Sequence, residues 1–190
     1  REARTGGRTG EQAKALAIPH RAKGKTVKRI DTHNHVIPET IINAMREDPA
    51  SFHTRIEGER GSYQFVRGKT RFDLVPEFYD PDAKLESMDR KAIDIAYISP
   101  GPQTFFYGLD ADLALRTARL VNEGVAAMAA ARPARLRGMA TLPMQHPDAA
   151  IAELERAVKE HGFKAVEMGT AIGEEELASC LLYTSDAADE

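Results

Sequence analysis

Two histidines, His33 and His35, stand on either side of a single residue at the end of a strand-forming run that begins at Val27. Successive strand residues point to opposite faces, so residues two apart share a face. Two neutral imidazoles arranged in this way can bind one divalent metal ion. Asp31 has the same parity and is expected either to reach the metal or to orient a histidine. The alternative is a pair of surface histidines at the start of a loop.

The elements that would position these histidines follow along the chain. Apolar residues recur at helical spacing in three segments, which predicts helices over 81–91, 110–131 and 147–162. Asp110 is the expected N-cap of the second helix. Pro147 suits the first turn of the third helix, and Gly162 suits its C-terminal stop.

Short β-leaning or apolar runs alternate with these helices and predict strands over 27–33, 93–99, 136–142 and 163–169. This alternation indicates right-handed βαβ units and a parallel α/β sheet, with the chemistry at the C-terminal ends of the strands. Four strands are half of a (β/α)8 barrel, and a small doubly wound sheet fits the alternation equally well. The polar segment 36–81 predicts nothing more than a short helix over 39–46.

The composition is that of an ordinary globular protein. Its 26 basic and 29 acidic residues give a formal net charge of −3, so no nucleic-acid-binding surface is expected. No apolar run approaches the roughly 18 residues of a membrane span. The single cysteine cannot form an internal disulfide, and the first 29 residues lack the apolar core of a signal peptide. A cytoplasmic location is therefore predicted.

The two ends of the chain differ from its middle. Residues 1–29 carry nine Lys or Arg against two Glu, so residues 1–26 are expected to form a disordered basic leader. Residues 180–190 resemble the translation of a sequencing adapter. We therefore expect residues 179–190 to be a non-native tail and residues 27–178 to be the partial enzyme domain.

Several motifs follow one another in an order that is similar to one enzyme family. They are Ile30-Asp-Thr-His-Asn-His-Val-Ile-Pro38, Tyr79-Asp-Pro81, Met88-Asp-Arg90, Ile98-Ser-Pro100, Thr141-Leu-Pro-Met-Gln145 and Gly162-Phe-Lys-Ala-Val-Glu-Met-Gly-Thr170. Their order resembles the amidohydrolase-related metal-dependent barrel enzymes, and in particular their aminocarboxymuconate-semialdehyde decarboxylase-like branch. The resemblance covers residues 27–173.

The resemblance implies the N-terminal half of a (β/α)8 TIM barrel, truncated before its later strands. It implies a divalent metal, zinc above all, held by His33 and His35 with a third histidine and an aspartate from later strands. The implied activity is non-oxidative decarboxylation of a small planar carboxylic acid, with a homodimer for the full-length enzyme. The catalytic residues are then expected beyond the truncation. A metal-dependent hydrolase of the same superfamily and an inactive fragment are the alternatives.

Substrate contacts are expected from Arg71 and Phe106. Enzymes of this branch carry an arginine seven residues before the aromatic residue that corresponds to Tyr79. Position 72 is phenylalanine here, so Arg71, one place away, or Arg67 is expected to bind the substrate carboxylate. Phe106 and its aromatic neighbours at 105 and 107 are expected either to line a planar pocket or to pack beneath a loop.

Glu167 stands among apolar neighbours in the last predicted strand. Its charge predicts a polar barrel interior unless the strand register turns it to solvent. The other histidines, His20, His53, His146 and His161, are not expected to bind the metal. His146 lies at a helix edge, and His161 lies near a helix C-terminus that favours a positive charge.

Overall fold

The computed structural model describes residues 27–173 and the backbone of Glu175 and Glu176, so the predicted leader and tail lie outside the described residues. Its strands are β1 (Ile30–Val36), β2 (Arg55–Glu57), β3 (Gln64–Arg67), β4 (Thr70–Asp73), β5 (Ile95–Pro100), β6 (Leu136–Gly138), β7 (Ala171–Ile172) and β8 (Glu175–Glu176). Its helices are α1 (Glu39–Glu47), α2 (Pro81–Arg90), α3 (Ala111–Ala131) and α4 (Pro147–His161), with 3-10 turns at Pro76–Phe78 and Pro102–Thr104.

A parallel sheet with the strand order β1-β5-β6 lies at the centre of the described chain. The pairing of β1 with β5 runs from Ile30 opposite Ile95 to Val36 opposite Pro100. Helix α2 precedes β5, α3 joins β5 to β6, and α4 follows β6. Parallel strands need such crossover connections, because the C-terminal end of one strand and the start of the next lie at opposite edges of the sheet. The predicted parallel α/β arrangement is therefore confirmed.

The last two predicted strands are shorter than expected. Beyond β6 the chain pairs with the segment after α4 through one isolated parallel bridge between Ala140 and Val166. The backbone N–H of Glu167 donates to the carbonyl of Ala140 at 2.8 Å. Thr141, the residue after Ala140, hydrogen-bonds through both its backbone N–H and its carbonyl to the side chain of Asn122 instead of to a neighbouring strand. The side chain of Asn122 thus takes the place of a neighbouring strand at Thr141, where the sequence predicted that the strand over 136–142 would continue.

The segment 36–81 contains more structure than the sequence predicted. Helix α1 confirms the short helix expected over 39–46, but the antiparallel sheet β2-β3-β4 was missed. Strands β3 and β4 pair Arg67 with Thr70, so Gly68 and Lys69 form a two-residue turn with Gly68 at φ 57°. A glycine at the first position of such a turn is a recognised hairpin signal, but the polar residues around Gly68 give no alternating apolar pattern to support it.

The helix boundaries follow the predicted capping. Asp110 Oδ1 accepts a hydrogen bond from the backbone N–H of Leu113 at 3.1 Å, at the start of α3. Pro147 occupies the first turn of α4, and Gly162 ends that helix with φ 67°. Left-handed backbone at a helix end favours glycine because glycine has no Cβ.

Helix α3 lies close to the chain that leaves β1. A Cβ on Gly124 would lie 2.3 Å from the Pro38 Cβ and 2.4 Å from the Thr40 Oγ1. Thr40 Oγ1 also donates to the carbonyl of Leu120 at 2.7 Å. Because only glycine permits this approach, Gly124 helps to fix the backbone directly after the two histidines.

A buried polar network joins α3 to α4. Glu153 and Asn122 are both 0% exposed, and Asn122 Nδ2 donates to Glu153 Oε1 at 2.7 Å. Arg156 donates to both carboxylate oxygens of Glu153, each at 2.8 Å. Burying a charge is costly unless it is paired and hydrogen-bonded, and both conditions are met here.

An apolar stripe lies on the surface of α4. Ile151, Leu154 and Val158 recur at helical spacing and are 59, 38 and 44% exposed. None of the helices within residues 27–173 combines the length and the apolar character that crossing a membrane requires.

We expect Asn122→Ala to lower the free energy of unfolding by about 2–4 kcal/mol, because it leaves buried backbone groups of Thr141 without partners. Asn43→Ala, on the exposed side of α1, is the matched control and should change the value by less than about 0.5 kcal/mol. Urea unfolding followed by circular dichroism measures both variants. Equal effects would contradict the role assigned to the network.

Candidate metal centre and substrate cleft

Three side chains converge beside the C-terminal half of β1. His33, His35 and Glu167 each offer one ligand atom, and these atoms lie within 4.8 Å of one another. Nδ1 of His33 lies 3.7 Å from Oε1 of Glu167. The two imidazole rings meet edge to face with their centroids 4.4 Å apart. These separations suit a single ion that binds each donor at about 2.0–2.2 Å.

Glu167 comes from the segment that pairs beyond β6, at the opposite edge of the sheet from β1, and its side chain reaches back to the histidines. Its backbone N–H donates to the carbonyl of Ala140, directly after the Val166 bridge. Its side chain is 16% exposed, whereas that of His33 is 68% exposed. Of the two registers left open for Glu167, the structure therefore has the one that turns it toward the histidines.

His35 is held in a form that can bind metal. Burial is the main cause that lowers the pKa of His35 below its ordinary value of 6.5, and the neighbouring His33 lowers it further. Ser99, opposite His35 on β5, places its Oγ 3.2 Å from Nδ1 of the ring. A partner at Nδ1 fixes the ring and leaves Nε2 for a metal. A neutral and oriented imidazole is the form that coordinates divalent ions.

Asp31 does not reach this cluster, because a bulge interrupts the alternation of β1. Asp31 pairs with Ala96 and Asn34 pairs with Ile98, so β1 advances three residues while β5 advances two. The extra residue changes the face on which Asp31 lies. Asp31 instead accepts hydrogen bonds from the backbone N–H of His33 at 3.1 Å and from Nδ2 of Asn34 at 2.8 Å. It supports the backbone of a histidine and is not a member of the donor cluster.

The other described histidines lie outside the cluster. His53 is in a loop before β2, His146 precedes α4, and His161 ends α4. The ring Nε2 of His146 lies 3.3 Å from the carbonyl of Leu109. His20 lies outside the described residues.

A cleft of about 650 Å³ opens beside Glu167. Its wall combines the aromatic loop after β5 with residues from the antiparallel sheet and from the chain around Glu167. Lining residues include Phe52, Arg67, Phe105, Phe106, Tyr107 and Glu167. Sites for small molecules are typically apolar, with a few polar groups that orient the ligand. Phe106 lies in this cleft, and its contact with a substrate stays a prediction.

Arg67 supplies the positive charge of the cleft. Its guanidinium carbon lies 4.7 Å from the ring centroid of Phe106. It donates to Thr54 Oγ1 at 2.7 Å and to the carbonyl of Gln103 at 2.9 Å. Burial lowers the pKa of Arg67 from its ordinary value, but a guanidinium stays charged at neutral pH. Two anchoring bonds leave other N–H groups of Arg67 for an anionic ligand.

Arg71, which the sequence predicts to bind the substrate, is not among the residues that line the cleft. It pairs with Val66 across the hairpin, whereas Arg67 pairs with Thr70, so the two arginines point to opposite faces of the small sheet. Arg71 is exposed, where it forms an ion pair with Glu57 at 2.9 Å. The position of Arg71 therefore gives no support to a substrate contact, and Arg67 becomes the candidate.

Tyr107 connects the aromatic loop to the chain that carries Glu167. Its hydroxyl accepts a hydrogen bond from the backbone N–H of Gly169 at 3.0 Å. Its ring stacks on Phe105 with the centroids 5.4 Å apart, and burial raises the pKa of its hydroxyl. The aromatic residues therefore both line the cleft and pack within the loop, which were the two alternatives that the sequence left open.

Sequence reasoning missed Ser99 and Lys84. Ser99 had a weak signal, since it is a hydroxyl at the end of an apolar strand. Lys84 had none, because a lysine on a helix normally faces solvent, yet it is 4% exposed. It donates to the carbonyl of His35 at 3.0 Å, and burial lowers its pKa to about 8.

Known proteins are similar to this chain in sequence and in fold. A 2-amino-3-carboxymuconate-6-semialdehyde decarboxylase from Dictyostelium discoideum is 26% identical over 157 residues, which are 82% of this chain and 44% of that protein. A gamma-resorcylate decarboxylase from Polaromonas sp. is 40% identical over 100 residues, 52% of this chain and 31% of that protein. The crystal structure of a dihydroxybenzoic acid decarboxylase from Polaromonas sp., with bound manganese and 2-nitroresorcinol, has a TM-score of 0.53 and 26% identity. That match covers 74% of this chain and 38% of the other.

The chain thus spans less than half the length of each of these proteins. Its parallel sheet is part of a (β/α)8 barrel, as predicted. The family model described as Amidohydrolase matches residues 30–184, which is most of the chain. The chain belongs to the amidohydrolase family, in the branch that contains these decarboxylases.

Proposed function

We propose that the protein containing this chain is a metal-dependent, non-oxidative decarboxylase of a small aromatic carboxylic acid. The observation that carries the proposal is the convergence of His33, His35 and Glu167 within 4.8 Å, beside a cleft with an arginine and aromatic walls. The decarboxylases named above are similar in sequence and, for the solved one, in fold.

The donor set fits a catalytic divalent metal. Two imidazoles and one carboxylate form a three-residue set that catalytic zinc sites use, with a further position left open. Carboxylate donors also suit manganese, which is bound in the dihydroxybenzoic acid decarboxylase from Polaromonas sp.. Zinc stays a prediction, and titration with both ions decides between them.

The metal would act as a Lewis acid that polarises an oxygen of the substrate. The residues of this chain would bind and orient the acid. Phe105 and Phe106 would pack against a planar ring, and Arg67 would pair with an anionic oxygen. In the reaction the bond between the ring carbon and the carboxyl carbon breaks. The electron pair stays on the ring carbon, which takes up a proton as CO₂ leaves.

The reaction class is tested by CO₂ release from gamma-resorcylate, with the complete gene product that contains these residues. Stoichiometric CO₂ and resorcinol support the proposal. Cleavage of lactones without CO₂ would support the hydrolase alternative. Turnover by the complete gene product but not by the metal-loaded chain of 190 residues would support the inactive-fragment alternative. The predicted homodimer and cytoplasmic location stay predictions.

We expect the chain to bind one equivalent of Zn²⁺ or Mn²⁺, measured by isothermal titration calorimetry. His35→Gln and Glu167→Gln should each weaken binding by about 100-fold or more. This exceeds the roughly 10–100-fold loss typical of groups that only support a ligand. Removing a ligand deletes a bond to the metal, which is the physical reason for the larger loss.

His161→Gln is the matched control for His35→Gln, since it removes an imidazole at the end of α4, outside the cluster. The metal affinity of His161→Gln should differ from that of the unsubstituted chain by less than about twofold, a change well below the tenfold that 1.4 kcal/mol represents. A loss for His161→Gln equal to that for His35→Gln would place the metal elsewhere.

We expect Arg67→Met to weaken the binding of gamma-resorcylate to the metal-loaded chain by about tenfold or more. A hydrogen bond to a charged group contributes about 1.5–3 kcal/mol. Arg71→Met should weaken the same binding by less than about twofold, which is far less than the loss of one such hydrogen bond would cause. Resorcinol, which lacks the carboxylate, tests whether Arg67→Met merely damages the cleft. Equal losses for resorcinol and gamma-resorcylate would contradict the role of Arg67.

A further inference from the structure

We propose that Lys84, acting through Asn34 and Asp31, is a positioning residue that holds β1 in the bulged form on which the metal centre depends. The inference rests on the proposed function, since it takes His33 and His35 as metal ligands. It concerns three residues, none of which belongs to the donor cluster.

Four hydrogen bonds link these side chains to one another and to the histidine backbone. Lys84 Nζ donates to Asn34 Oδ1 at 2.7 Å and to the carbonyl of His35 at 3.0 Å. Asn34 Nδ2 donates to Asp31 Oδ2 at 2.8 Å, and Asp31 Oδ1 accepts from the backbone N–H of His33 at 3.1 Å. The network therefore begins at the carbonyl of one proposed ligand and ends at the N–H of the other.

The network encloses the bulge. The register of β1 against β5 changes between Asp31 and Asn34, which are the two residues that the Asn34 amide joins. A bulge leaves one extra residue outside the regular ladder and re-aims nearby side chains. Backbone groups released from the ladder need other partners, and Asp31 supplies one of them to His33. The bulge and the network thus depend on each other.

Lys84 is placed to make this arrangement rigid. It lies on α2 and is 4% exposed, with its ammonium 5.9 Å from the ring centroid of Phe78. A buried lysine loses its hydration and must recover hydrogen bonds from the protein. Here both recovered bonds go to β1, so the helix holds the strand through a side chain that cannot turn to solvent without breaking them.

A purely structural network would stabilise the fold without tuning the metal centre. The two roles differ in what they change, because metal affinity responds to small displacements of the imidazoles. Cobalt(II) reports such displacements directly, since its visible absorption bands depend on the geometry and number of its ligands. Affinity and spectrum are therefore the readouts that separate positioning from stability.

The test compares Lys84→Met and Asn34→Leu with the original chain by titration with Co²⁺. Lys91→Met is the matched control, because it removes the same charge from an exposed lysine at the end of α2. Urea unfolding of each metal-free variant shows that it is folded before Co²⁺ is added. Asn34→Leu keeps Lys84 in place, so it serves as the second route if Lys84→Met does not fold.

We expect the dissociation constant for Co²⁺ to rise by about 10–100-fold in Lys84→Met and in Asn34→Leu, with altered visible bands. In the double variant Lys84→Met/Asn34→Leu, the dissociation constant should rise by less than the product of the two single-variant fold changes, since both substitutions break one network. Lys91→Met should bind as the original chain does.

Unchanged affinity and spectrum in a folded Lys84→Met or Asn34→Leu would overturn the inference and leave the proposed function intact. Failure of the original, folded chain to bind Co²⁺ would contradict the proposed metal centre and the inference with it. The two failures are therefore distinguishable.

Discussion

The curvature of the parallel sheet is the constraint on which the candidate site depends. Two strands, β5 and β6, lie between β1 and the segment that carries Glu167. Neighbouring strands are about 4.8 Å apart, so three spacings in a flat sheet would separate these elements by about 14 Å. The ligand atoms of His33, His35 and Glu167 nevertheless lie within 4.8 Å of one another. Their side chains must therefore converge from a concave face, as they do in a barrel.

The same geometry brings the cleft to the candidate metal centre. Parallel strands place all their C-terminal ends at one edge, so the aromatic loop after β5 lies near the residues that end β1. The antiparallel sheet between α1 and α2 adds Arg67 to this edge, with its guanidinium over Phe106. The charge that would hold a carboxylate thus comes from the small antiparallel sheet, whereas the proposed metal donors come from β1 and from the segment after α4. Under the proposed function, substrate choice and metal binding would therefore be carried by separate parts of the chain.

Local signals allowed much of this to be predicted. The His33–His35 spacing, the Asp110 cap, the Gly162 stop and a charge among apolar residues at Glu167 each depend on a few neighbouring residues. Long-range pairings set the rest. The bulge that removes Asp31 from the cluster depends on the register against β5, and the hairpin that separates Arg67 from Arg71 depends on the turn at Gly68. The burial of Lys84 depends on where α2 packs, which no helical pattern shows.

The central claim is that His33, His35 and Glu167 bind one metal ion together. X-ray absorption spectroscopy of the zinc-loaded chain tests it most directly, because imidazole rings give characteristic multiple scattering. The account predicts two imidazole nitrogens at about 2.0–2.1 Å with carboxylate oxygen at about 2.0–2.2 Å. It also predicts that the scattering falls to one imidazole in His33→Gln. A shell without imidazole, or one that His33→Gln leaves unchanged, would contradict the claim.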